Sequence, residues 1–198
     1  MIWLGADPGG NKAFGVARLL DDGSFQTSVV SYAEEALDWF CKQDSFEPRA
    51  AGIDAPLWWS SGKSSDRKAD QVLRREYKIH PGTVQTANSL QGAALIQGVM
   101  LANRLREQYP DISITEAHPK ALLRALKLKT WDEISGFFSL LGKEPKEEHE
   151  RDALLGAVAA REGALKRWSR NLAADRLQYE QNPETIPAGP VFYWWPDT

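Results

Sequence analysis

Four carboxylates stand at positions where chain geometry would aim them outward: Asp7, Asp54, Glu116 and Asp152. Asp7 lies in Gly5-Ala6-Asp7-Pro8-Gly9-Gly10 and Asp54 in Gly52-Ile53-Asp54-Ala55-Pro56. Glu116 lies in Ile114-Thr115-Glu116-Ala117-His118-Pro119. Each of these three ends a short apolar run, and Asp152 sits near the start of the last long helical pattern. Each has an ordinary role open to it. Asp with Pro and Gly makes turns, Asp54 can cap a strand end, Glu116 can be a surface acid, and Asp152 suits a helix start. A charge after Ala50-Ala51-Gly52-Ile53 is nevertheless costly if buried without a partner. Gathered at one point, the four would repel each other and need a cation, and all-oxygen ligands suit Mg²⁺ or Mn²⁺. Such a cluster serves two-metal phosphoryl chemistry, in which ions about 3.5–4 Å apart activate water and stabilise the leaving oxygen. The candidate catalytic and metal-binding set is therefore Asp7, Asp54, Glu116 and Asp152.

Basic and aromatic residues extend this reading. The segment 61–78 carries Lys63, Arg67, Lys68, Arg74, Arg75 and Lys78 against Asp66, Asp70 and Glu76. Residues 118–129 carry Lys120, Arg124, Lys127 and Lys129 with no acid. Both could hold phosphates, which position nucleic acid without reading its sequence. Trp58 and Trp59 could stack on unpaired bases. Taken singly, each of these is also what a solvated helix face looks like. His80, His118 and His149 lack zinc-ligand spacing, while His118 beside Glu116 could carry a proton or be a satisfied surface histidine.

The elements that must position these residues follow from periodicity and turn chemistry. Ile2–Ala6, Ala13–Leu20 and Phe25–Ser31 read as strands joined by Asp7-Pro8-Gly9-Gly10 and Asp21-Asp22-Gly23, an antiparallel meander. Ser31-x-x-Glu34 is a capping-box sequence. Ala33, Ala36, Leu37, Phe40 and Cys41 follow at the spacing of a buried helical stripe. Ala50–Asp54 is a continuous apolar strand, as expected of one covered on both faces, and Ile112–Glu116 is a fifth strand. Residues 55–110 read as a helical insertion holding Ser65–Tyr77 and Ser89–Gln108. Pro119 suits the first position of a helix running to Leu126. Thr130-x-x-Glu133 opens a further helix that Gly142 ends, and Glu147–Trp168 is the last. Gly156, Ala159, Ala160 and Gly163 give that last helix a small-residue face for close approach to a sheet, and Asp152 shares it. The order predicts an α/β domain over 1–198, with a mixed five-stranded sheet and helices on both faces. This is the order of the ribonuclease-H-like fold. Residues 180–198, rich in Pro and aromatics, should pack on the body.

Composition excludes several classes. The chain has 198 residues, enough for one domain, with 42% hydrophobic and 26% charged residues. A formal charge of −3 is not that of a basic nucleic-acid coat. Cys41 as the single cysteine leaves no internal disulfide framework. The uncharged stretch Ile79–Asn103 contains too many Asn and Gln residues for a bilayer span. No leader pattern is visible, so a cytoplasmic protein without membrane attachment is expected.

The motifs together resemble the predicted ribonuclease-H-like nucleases grouped as domain-of-unknown-function family 429. They are Gly5-x-Asp7-x-Gly9, Gly52-Ile53-Asp54-Ala55-Pro56-Leu57, Arg67-x-x-Asp70-x-x-x-Arg74, Glu116-x-His118-Pro119, Glu150-x-Asp152-Ala153 and the closing Gly189-Pro190-Val191-Phe192. The first departs mildly, with Ala6 where a branched aliphatic is more usual. The resemblance implies the ribonuclease-H-like fold and metal-dependent phosphodiester cleavage. It implies Asp7, Asp54 and Asp152 as the ligand core, Glu116 as a fourth ligand, and nucleic acid as substrate. The expected substrate-binding set is Arg67, Asp70, Arg74, Lys120, Trp58, Trp59 and His118. Two other classes remain open on sequence. An actin-like ATP-binding phosphotransferase shares the core order, but would need a second half and a second glycine-rich phosphate loop. A non-catalytic module binding nucleic acid or protein could use the basic residues and tryptophans.

Overall fold

The computed structural model describes residues 1–42, 47–60, 66–85, 92–176 and 187–197. Strand β1 (Ile2–Asp7) is central, flanked by β2 (Phe14–Leu20) and then by β3 (Phe25–Val30) on one side. On its other side lie β4 (Pro48–Ile53) and β5 (Ser113–Glu116), giving the order β3-β2-β1-β4-β5. The meander β1–β2–β3 is antiparallel, whereas β1–β4 and β4–β5 are parallel. The architecture is α/β with a mixed five-stranded sheet, as expected. The parallel strands are connected by helices: α1 (Ala33–Cys41) precedes β4, while α2 (Lys68–Glu76) and α3 (Gly92–Gln108) lie between β4 and β5. After β5 come α4 (Pro119–Leu126), α5 (Trp131–Phe138) and α6 (Glu148–Ala164).

Glycines on one face of the sheet let α6 lie against the strands backbone to backbone. A Cβ at Gly5 would stand 1.9 Å from the Ala153 carbonyl oxygen, and one at Gly52 would stand 2.0 Å from that of Gly156. At Gly15 it would stand 1.9 Å from the His149 carbonyl oxygen. Side chains alternate along a strand, so Asp7 shares the α6 face with Gly5, and Asp54 shares it with Gly52. The opposite face carries α3, whose Gly98 has room for only a hydrogen against Ala55, 2.5 Å from its notional Cβ. Helix α1 packs beside α3 there and is tied to it by Gln97 Oε1, which accepts from the Ala33 amide at 2.9 Å. Helices thus cover both faces.

Several boundaries differ from the sequence reading, for local reasons. Helix α1 starts at Ala33 without a side-chain cap, and Glu35 rather than Glu34 reaches back to the Ser31 amide at 2.8 Å. The Thr130–Glu133 capping box forms, but α5 stops at Phe138, where Ser139 turns left-handed at φ 53°, ahead of Gly142. Helix α6 ends at Ala164, and Lys166 adopts φ 57°. Part of the closing segment is paired to the sheet. Phe192 exchanges backbone hydrogen bonds with Ile114 and Glu116, which covers the free edge of β5. Beyond it β7 (Trp194–Trp195) pairs with β6 (Arg170–Asn171). Residues 180–186 and 198 of the expected tail lie outside the described residues, as do the starts of the two expected insertion helices at 65 and 89–91. Among the described residues no helix is long and apolar enough to cross a membrane.

Candidate active site

Three of the expected carboxylates are brought together by strand register and by the glycine face. Ala6 pairs with Ile53 in the parallel β1–β4 ladder, so Asp7 and Asp54 follow as neighbours on the same side of the sheet. The Asp54 amide donates to the Ala6 carbonyl at 2.8 Å and fixes that alignment. Across the antiparallel ladder Asp7 faces Gly15, which offers no side chain to crowd it. Because α6 rests directly on these glycines, its first turns deliver His149 and the buried Asp152 to the same place.

The charges there are strained by burial and by each other. Burial raises the Asp7 carboxyl to about 6, with Asp152 adding to the rise and His149 and Lys120 opposing it. Asp54 is pushed well above the ordinary carboxylate range, first by burial and then by Asp7 and Asp152. Asp152 is raised by burial, against the pull of Arg151 and Lys120. Lys120 at the start of α4 lies at the rim, with Nζ 2.9 Å from Glu148 Oε1 and 4.0 Å from Asp152 Oδ2. His149 Nδ1 stands 2.5 Å from Asp7 Oδ2. The sequence reading missed this contact, although His149 is one turn before Asp152 and so on the same helical side.

These shifts set a pH signature. A carboxyl whose folded-state pKa is raised stabilises the fold most below its unfolded value near 3.8, and that contribution is lost as pH rises through the raised value. Asp54→Asn should therefore stabilise the metal-free protein at pH 7.5. The gain should shrink toward zero near pH 4, as measured by denaturant unfolding of both proteins at each pH. The difference between variant and wild type is the useful quantity, because His118 acts oppositely. Burial lowers its imidazole to about 4, so its contribution is lost as pH falls.

Glu116 is placed differently from the expectation. Arg67 donates to it through Nη2 at 2.7 Å and Nη1 at 2.8 Å, and the Leu57 amide adds a bond at 3.0 Å. Arg67 also grips Asp70 through Nε at 2.8 Å and Nη2 at 2.7 Å. Burial works against the Arg67 charge, and Asp70 with Glu116 more than offsets it. Both Glu116 oxygens are committed to this network, so Glu116 is a structural partner of Arg67 that raises Asp54 only from a distance. Arg67 and Asp70, expected to bind substrate, are buried in the cleft wall and satisfy each other. Arg74 is likewise engaged, by Asp66 and by the Val84 carbonyl. Trp58 is 2% exposed and lies under the Arg67 guanidinium at 4.3 Å, which leaves Trp59, 36% exposed, as the tryptophan of this pair open to solvent.

The aspartates open into a cleft of about 420 Å³ lined by Asp7, Asp54, Thr83, Gln85, His118 and Lys120, with the Arg67 network in its wall. His118 is a cleft residue rather than a satisfied surface histidine. Its ring bonds the Thr83 backbone, while Nδ1 is buried with no partner among the described residues. Donor chemistry at Asp7, Asp54 and Asp152 fits a hard divalent cation, and Glu116 does not join them. Among the described residues no three acidic, histidine or cysteine side chains already stand together as a metal site. Asp7 is turned to His149 and Asp152 toward Arg151 and Lys120, so an ion would have to displace these partners.

Comparison with known families gives a match over residues 5–185 to DUF429, described as a protein of unknown function. The chain belongs to the DUF429 family. The matched span of this DUF429 chain includes Asp7, Asp54 and Asp152, His149, Lys120 and the Arg67 network. It ends before the segment that covers β5. No curated protein and no solved structure matches the chain.

Proposed function

We propose that this chain is a ribonuclease-H-like, divalent-metal-dependent nuclease that hydrolyses phosphodiester bonds in nucleic acid. The observation that carries the reading is that Asp7, Asp54 and Asp152 lie on the same side of the sheet, near enough for Asp152 to act on Asp7 and for both to act on Asp54. They come from the ends of two adjacent parallel strands and from the one helix lying on the same face. The strand order β3-β2-β1-β4-β5 supports the fold assignment. Burial raises all three acids, Asp152 adds to the rise of Asp7, and both add to that of Asp54. This opposes folding unless a cation offsets it, and Lys120 at the rim neutralises only part of their charge. Asp7, Asp54 and Asp152 would hold Mg²⁺ or Mn²⁺. Bound there, the ion supplies an activated water and charge stabilisation for the leaving oxygen. The chain's own groups do the rest. Lys120 Nζ is free to leave Glu148 for a phosphate oxygen at the rim, and His149 Nδ1 can hold a proton when Asp7 turns away from it.

Asp7→Asn preserves shape and removes one ligand charge. Mn²⁺ should raise the thermal midpoint of the wild type by several degrees, because it binds the native cluster and not the unfolded chain. The variant should lose most of that rise and all Mn²⁺-dependent cleavage of single-stranded or duplex oligonucleotides. Identical Mn²⁺ responses of the two proteins, with no cleavage by either, would reject the nuclease reading in favour of a binding module.

A further inference from the structure

Beside the carboxylate cleft runs a second depression of about 260 Å³, whose lining among the described residues carries no charged side chain. Pro56 belongs to both walls, and on α3 Ala94 lines the cleft while Leu95 lines the groove, so the two are continuous. Its far wall is Ile96, Val99 and Met100, spaced on successive turns of α3, and Trp59 closes the near side. Ile96 is 61% exposed, Met100 44% and Trp59 36%. Helix α3 thus turns part of its apolar face outward, beside the cleft that Asp7 and Asp54 line.

We propose that this groove receives an unpaired nucleobase adjacent to the scissile phosphate, so that the preferred substrate is single-stranded at that position. The inference rests on the nuclease reading above and names its substrate class. A phosphate at the aspartates has its sugar and base a short step away, and the groove is the uncharged surface continuous with that point. A lining of Trp, Ile, Val, Met and Pro cannot ion-pair with backbone phosphates, but it offers an indole face and aliphatic contacts to a flat ring. Such contacts tolerate any base because every base has a π-face. A paired base, stacked within a duplex, cannot enter without being turned out, at a cost in unstacking and unpairing.

The test uses the full chain in EDTA, so that binding is read apart from metal chemistry. Fluorescence anisotropy compares a labelled oligothymidine with a blunt duplex of equal length. The proteins are wild type, Trp59→Ala and the double variant Ile96→Asp with Met100→Asp. Wild type should prefer the single strand about tenfold. Each variant should lose roughly tenfold in single-strand affinity, the scale of one lost base–aromatic stack, with duplex binding unchanged. All three side chains are exposed, so the variants should keep the wild-type circular dichroism and thermal midpoint. Equal wild-type affinity for both oligonucleotides, or variants that bind like wild type, overturns the proposal. So does a wild-type dimer in sedimentation that the double variant dissociates, because a second copy then covers the groove. The Mn²⁺ response separates the two readings. If wild type responds to Mn²⁺ and cleaves without single-strand preference, only the groove assignment fails. If it neither responds nor cleaves, the nuclease reading fails.

Discussion

Arg67→Ala should cost this protein about 3–5 kcal/mol of folding stability, the range for removing one partner of a buried ion pair. Arg67 is 1% exposed and its donors are spread over Asp70, Glu116 and the Trp58 carbonyl, so truncation leaves two carboxylates buried without a counter-charge. Glu116 is already raised by burial, with Arg67 as the main opposing influence. Without Arg67 its carboxyl should rise further, and a protonated Glu116 would leave the Leu57 amide only a weaker acceptor. Arg67→Lys should rescue little. An ammonium cannot present the planar fork that bonds both acids, nor the flat face that stacks at 4.3 Å over Trp58. Replacing the whole set, with Arg67→Met, Asp70→Leu and Glu116→Leu, should recover much of the loss, because apolar packing often equals a buried ion network. Urea unfolding of the four proteins decides the matter. A loss below about 1 kcal/mol for Arg67→Ala would mean that water reaches the network and screens it.

Gly52→Ala should be nearly as damaging and should also disable the site. The added Cβ would meet the Gly156 carbonyl oxygen at 2.0 Å and the Gly156 Cα at 3.1 Å. These are backbone atoms, so no rotamer change relieves the clash and α6 must lift from the sheet. Overpacking of this kind costs about 1–3 kcal/mol, and the rigid contact with main chain places Gly52→Ala at the upper end. A lifted α6 carries Asp152 and His149 away from Asp7 and Asp54, so the Mn²⁺-induced rise in thermal midpoint should fall with stability. Gly136→Ala is the matched control. It sits in α5 with nothing within 4 Å of the notional Cβ and should gain up to about 1 kcal/mol from helix propensity. Loss of the Mn²⁺ response in Gly136→Ala, or its retention in Gly52→Ala, would detach the site from the position of α6.

The order of elements and the three aspartates were legible in the sequence because each depends on local pattern. The apolar runs that Asp7 and Asp54 close, and the small residues around Gly156, state what is buried and how close a neighbour can come. A carboxylate closing such a run must emerge at a strand end wherever the strand lies. The partners of those charges were not legible, because they are chosen through space. Arg67 meets Glu116 across 49 residues and His149 meets Asp7 across 142, and only the folded sheet makes them neighbours. The tertiary structure likewise decided that Trp58 is buried under Arg67 while Trp59 is exposed, although the two are adjacent in sequence. It also decided that the aromatic tail adds itself to the edge of β5. Periodicity tells a residue which way to point. What it finds there depends on how strands and helices pack, and here glycines at 5, 15 and 52 set that distance.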